Sequence, residues 1–179
     1  MLQQRRTTAD ALDRIERFNA GREPERLALK YRDMCKSPFA FFRGTAHLFW
    51  EDLAARGSAL PKSPLVWACG DLHFENFGSF QGDNGLSYFD LNDFDESALA
   101  PATWEVSRFV AGAYGRGGYV LHELQPSNDR LSLKDARGNQ HHLRSAAKAM
   151  GRVIAWAQLR SSGRQDSATA DDLIAFAGA

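Results

Sequence analysis

The stretch Cys69-Gly70-Asp71-Leu72-His73-Phe74-Glu75-Asn76-Phe77-Gly78, followed by Tyr88-Phe89-Asp90-Leu91-Asn92-Asp93-Phe94-Asp95-Glu96, decides how this chain is read. Just before it, Leu65-Val66-Trp67-Ala68-Cys69 is a short apolar run between Pro64 and Gly70, the pattern of a buried strand. That strand ends in a Gly-Asp turn. Residues 77–80 and 86–91 flank Gln81-Gly82-Asp83-Asn84-Gly85, whose turn-forming residues predict a hairpin. The second strand of the hairpin delivers Asp90 and runs into an acidic loop, 92–96. One segment therefore carries an Asp and an Asn just after a strand, and further carboxylates just after a hairpin.

Outward from this segment the pattern is helical. Thr8-Ala9-Asp10 opens a first helix, which Asn19-Ala20-Gly21 stops. Pro24 stands near the start of a second, with Leu27, Leu29, Tyr31 and Met34 apolar. Ser37-Pro38 leads into a third, over 39–56. There Phe39, Phe42, Ala46, Phe49, Trp50 and Leu53 recur at helical spacing and mark a buried face. Pro101 opens a helix that runs to about 114 and is broken by Gly115-Arg116-Gly117-Gly118. Residues 119–124 and 131–133 read as strands, and 142–160 and 169–177 as closing helices. The expected class is α+β, mostly helical with a small antiparallel hairpin. It is read as a single domain over 1–179, with a core at 30–110 and a shortened C-terminal part at 119–179.

Composition narrows the function classes. The 179 residues carry 22 Lys+Arg and 22 Asp+Glu, a formal net charge of zero, which argues against a nucleic-acid or polyanion binder. No run approaches the roughly 18 apolar residues of a membrane helix, so no membrane partner is expected. The charged N-terminal stretch lacks the apolar region of an export signal. Cys35 and Cys69 are too few and too scattered for a disulfide framework or a zinc site. The expected location is cytoplasmic. With 12 Phe, 4 Trp and 4 Tyr, a chain with exposed apolar faces would tend to associate as a homo-oligomer.

Asp71 and Asn76 fit the spacing D-x-x-x-x-N, and Asp90 follows on the far side of the hairpin. Phosphoryl transfer needs such a set: one carboxylate to orient or deprotonate the attacking hydroxyl, and an Asn with a second carboxylate to hold magnesium against the phosphates. Oxygen donors suit a hard cation better than zinc. The same residues also fit a simpler account, in which Asp71 and Asn76 build a turn and the acidic loop is solvated. His73 either orients Asp71 or serves the loop's own structure. Cys69 reads as a small buried residue at a strand end. A third reading groups Asp71, His73, Asp90 and Asp93 as a metal-dependent hydrolase site.

Together with Ser37-Pro38-Phe39-Ala40-Phe41-Phe42-Arg43-Gly44, these two blocks resemble the bacterial domain of unknown function 2252 family. They are also similar to the catalytic and metal-binding motifs of aminoglycoside and choline kinase relatives, which share a protein-kinase-like fold. The resemblance implies a kinase-like catalytic-lobe fragment and a magnesium-dependent ATP phosphotransferase acting on a small molecule or a protein. It makes Asp71 the catalytic base, with Asn76 and Asp90 as metal ligands, and His73 stays a catalytic candidate from its place in the loop. Asp93 and Asp95 stand as alternates in the same loop, and Arg43 as a phosphate contact. Those relatives usually carry His where this chain has Cys69, which removes a side chain that often braces the loop. Members of the family are longer, so the resemblance also implies an alternative: a catalytically inactive remnant that binds metal or nucleotide.

Overall fold

The computed structural model describes residues 8–55, 60–114 and 140–179, which fall into two compact units dividing between Ala59 and Leu60. The first unit is helical: α1 (Thr8–Phe18), α2 (Pro24–Met34), α3 (Pro38–Gly44) and α4 (Ala46–Ala55). Buried Arg14 ties α1 to α4, with Nε 2.6 Å from Glu51 and Nη2 2.7 Å from Asp52. The Phe18 ring stacks on His47 at 3.9 Å between centroids. The helix expected over 39–56 is two helices. Thr45 leaves helical backbone, and its hydroxyl bonds back to the Phe41 carbonyl at 2.7 Å. Side chains of this kind compete with the helix ladder and interrupt it.

The second unit holds the strands. β1 (Leu65–Ala68) pairs antiparallel with β4 (Ala98–Pro101), from Leu65↔Pro101 to Ala68↔Ala98. The hairpin is formed by β2 (Phe77–Gln81) and β3 (Ser87–Leu91), in the register Phe77↔Leu91 to Gln81↔Ser87. Helices α5 (Ala102–Tyr114), α6 (Gln140–Arg160) and α7 (Ala170–Ala177) complete it. Thr169 caps α7 by accepting from the Asp172 N–H.

The core of this unit is Cys69, Leu72, Leu91, Val153 and Ile154, with Phe77, Phe89, Phe109 and Ala157 packed around it. It joins the end of β1, the loop after it, the end of β3 and the inner face of α6. Each buried aliphatic side chain contributes about 1.5–3 kcal/mol, so the loop between β1 and β2 is anchored by packing as firmly as a regular element. The hairpin and the long closing helices are where the pattern placed them. β4 was not expected: Ala-Leu-Ala-Pro offers almost no β-branched or alternating signal, and its strand state comes from pairing with β1. The expected strands at 119–124 and 131–133 and the glycine-rich break at 115–118 lie outside the described residues. Among those described, no helix is long and apolar enough to cross a membrane.

Candidate functional site

The loop from Cys69 to Asn76 leaves β1 through a sharp turn. Gly70 has φ +99°, a left-handed backbone that a side chain strains, and a Cβ there would run into the backbone carbonyl of Glu96. The acidic loop therefore lies directly on the turn. Two further bonds hold this junction. The Cys69 N–H donates to Glu105 Oε1 at 2.6 Å, and the Cys69 thiol donates to the Asp93 carbonyl at 3.1 Å.

Asp71 follows, and its carboxylate is gripped by Arg108 from α5. Oδ1 accepts from Arg108 Nε at 3.0 Å and from Nη2 at 2.5 Å. Oδ2 lies 3.7 Å from His73 Nε2. His73 is buried and caps a short 3-10 turn over Phe74–Asn76, its Nδ1 accepting from the Glu75 N–H at 3.2 Å. Asn76 closes the turn. Its Oδ1 accepts from the His73 N–H at 2.6 Å, and its Nδ2 donates to the Asn92 carbonyl at 3.5 Å. The Asn92 N–H then donates to the Asn76 carbonyl at 2.8 Å. This pairing continues the hairpin ladder one step beyond Phe77↔Leu91, so Asn76, Gly78, Asp90 and Asn92 share one face of the hairpin.

The surrounding charges are close enough to shift ionisation. The Cys69 thiol is pushed up to about 12, chiefly by burial, then by the carboxylates of Glu105, Asp93 and Asp71. It is an inert, protonated hydrogen-bond donor, not a nucleophile. Burial also raises Glu105, against the bonds it accepts from the Cys69 N–H and from Gln158 Nε2 at 2.8 Å. Burial lowers Arg108, and the Asp71 carboxylate opposes that shift. Arg108 is in effect a buried cation made tolerable by its aspartate.

Asp71, His73 and Asn76 come together in one loop, laced to the segment that carries Asp93. Asp90 is held elsewhere: its two oxygens lie 2.8 and 2.7 Å from Arg160 Nη2, and Oδ1 also takes the Leu91 N–H. Asp93 has φ +65°. That conformation is uncommon for a residue with a side chain, and such residues concentrate at functional sites. Its carboxylate is exposed, and no hydrogen bond or ion pair to it is found among the described residues. Asp95 is exposed in the same loop. Arg43 sits half-buried in the last turn of α3, in the first unit.

No three His, Cys, Asp or Glu side chains among the described residues are grouped as a metal cage. Magnesium asks for less, taking one or two carboxylates and completing its shell with phosphate oxygens and water. The exposed Asp93 carboxylate, one residue after Asn92, is an oxygen donor of the kind that ion accepts.

Glu105 and Arg108 were not anticipated. Both lie in Trp104-Glu105-Val106-Ser107-Arg108-Phe109, three positions apart and so on one face of α5. The available signal was an acid and a base on the stripe of an apolar helix that faces the core, where an unpaired charge is too expensive to keep.

A family model described as "Uncharacterized protein conserved in bacteria (DUF2252)" matches residues 22–116, just over half of the chain. No curated protein and no solved structure matches it.

Proposed function

Taking as premise that this chain belongs to the bacterial DUF2252 family, we propose that its second unit carries a kinase-like phosphoryl-transfer site centred on Asp71. The observation that carries the reading is the geometry of the Asp71 carboxylate. One oxygen is fixed by Arg108, and the other is beside His73, in the same turn as Asn76 and against the acidic loop. A carboxylate so fixed can orient an acceptor hydroxyl and take its proton as the oxygen attacks the γ-phosphorus of ATP, the bond from that phosphorus to the β,γ-bridging oxygen breaking and ADP leaving. His73 limits the rotation of that carboxylate. Asn76, Asp90 and Asp93 are the proposed magnesium ligands, with the half-exposed Arg160 as the present partner of Asp90. Magnesium, when bound, neutralises charge on the phosphates. The acceptor is a hydroxyl of a small molecule or a protein.

A second reading, a module that binds metal or nucleotide without turnover, is favoured by one observation. Asn76 is buried, and both ends of its amide are engaged within the loop. Calorimetric titration with MgCl2, ATP and both together separates the two. The phosphotransferase reading expects saturable ATP binding that requires magnesium, is weakened at least about tenfold by Asp93→Asn, and is accompanied by turnover. Magnesium binding with no turnover favours the module. Absence of binding by either ligand contradicts both.

A further inference from the structure

Arg108 and Glu105 occupy one face of α5 and reach opposite sides of the same turn. Glu105 takes the Cys69 N–H at 2.6 Å, and Arg108 takes the Asp71 carboxylate two residues later. Both side chains are almost wholly buried. The guanidinium approaches through Nε and Nη2, both aimed at Oδ1. Two donors of one planar guanidinium converging on a single oxygen fix the position of that oxygen. Burial adds stiffness, because α5 starts from backbone held at Ala102 N to Pro64 O, 2.9 Å, and at Thr103 N to Ser63 Oγ, 3.0 Å. The start of the helix that carries Arg108 is therefore tied by hydrogen bonds to the segment just before β1.

We infer that Arg108 is a positioning residue: it selects the side-chain conformation in which the Asp71 carboxylate meets the acceptor hydroxyl. This rests on the phosphoryl-transfer reading for its catalytic consequence, but not for its structural one. The guanidinium does not touch the reacting atoms. It acts by denying Asp71 its other rotamers.

The test uses Arg108→Met in the full chain, with Arg108→Lys as the second variant should the first fail to fold. Crystal structures of wild type and variant are compared at a resolution that fixes the Asp71 rotamer. The expected result is that the carboxylate leaves its wild-type rotamer in Arg108→Met and shifts to meet a single donor in Arg108→Lys. Where wild type turns over ATP, kcat falls about 100-fold, the scale of a small misplacement of a reacting group. KM for ATP stays within about twofold, as uniform binding is untouched. An Asp71 that keeps its wild-type rotamer in a folded variant overturns the proposal, and so does an unchanged kcat. A wild type without turnover defeats the phosphoryl-transfer reading alone. The rotamer comparison still decides the role of Arg108.

Discussion

Arg108 and Arg160 each hold an aspartate of the same segment at hydrogen-bond distance, Asp71 in one case and Asp90 in the other. The chemistry is identical and the surroundings are not. In the first pair the side chains are 1% and 18% exposed; in the second they are 53% and 22% exposed. In the first, the guanidinium is almost wholly buried, so water cannot replace its aspartate partner. In the second, the guanidinium is half in solvent, where side-chain entropy and screening offset most of the attraction. The pair that fixes the loop is therefore the one beneath Asp71, while the pair at Asp90 records only where an exposed arginine rests. Burial, not pairing, separates a framework from a surface contact.

The comparison can be broken most directly by removing one partner of the buried pair. Asp71→Ala leaves Arg108 as an uncompensated buried cation and is expected to lower the unfolding free energy by about 3–5 kcal/mol. Asp71→Asn, whose carbonyl oxygen still accepts from the guanidinium, should lose much less; urea denaturation of both variants measures the gap. Gly70→Ala comes next. A left-handed backbone and a collision with the Glu96 carbonyl together should cost about 2–3 kcal/mol in the same experiment. A loss below about 0.5 kcal/mol would show that the acidic loop does not lie on the turn.

Glu105→Gln sharpens the comparison through pH. Burial raises Glu105 above its ordinary 4.5. Its contribution to stability is then fully present below about 4.5, and is lost as pH rises through the raised value and the buried group ionises. The glutamine variant has no such loss. Its stability relative to wild type should improve across that window by up to about 1.4 kcal/mol per pH unit, read from denaturation midpoints between pH 4 and 7. A difference that does not vary with pH contradicts the buried-carboxyl account. The smallest effect belongs to Arg160→Ala, expected to change stability by less than about 1 kcal/mol and less still at high salt.

The sequence carried the parts of the fold that have a periodic or turn-residue signature. The hairpin followed from Gln81–Gly85 between two apolar runs, and α1, α2, α5, α6 and α7 from their spacing and caps. It failed where tertiary pairing made the element. β4 is a strand only because Leu65–Ala68 lies beside it, and Thr45 breaks a helix whose apolar spacing runs on unbroken. The site was legible to the same extent. Asp71, His73, Asn76, Asp90 and Asp93 were candidates by residue type and local spacing, and the structure brings Asp71, His73 and Asn76 into one loop. Glu105 and Arg108 did not, because their role depends on α5 folding back over a loop that lies more than thirty positions earlier. Which carboxylate of Asp90, Asp93 and Asp95 is available also depended on a long-range partner, Arg160, that spacing alone could not name.

Asp71 is proposed as the proton-accepting carboxylate of a phosphoryl-transfer site. Release or transfer of the γ-phosphoryl group from magnesium-ATP, measured with γ-labelled ATP for wild type and for Asp71→Asn at matched folded fraction, tests it most directly. The expected result is measurable turnover by wild type and a fall of at least about 100-fold in the variant, with ATP affinity retained. Equal rates in the two proteins, or no turnover in either, contradict it.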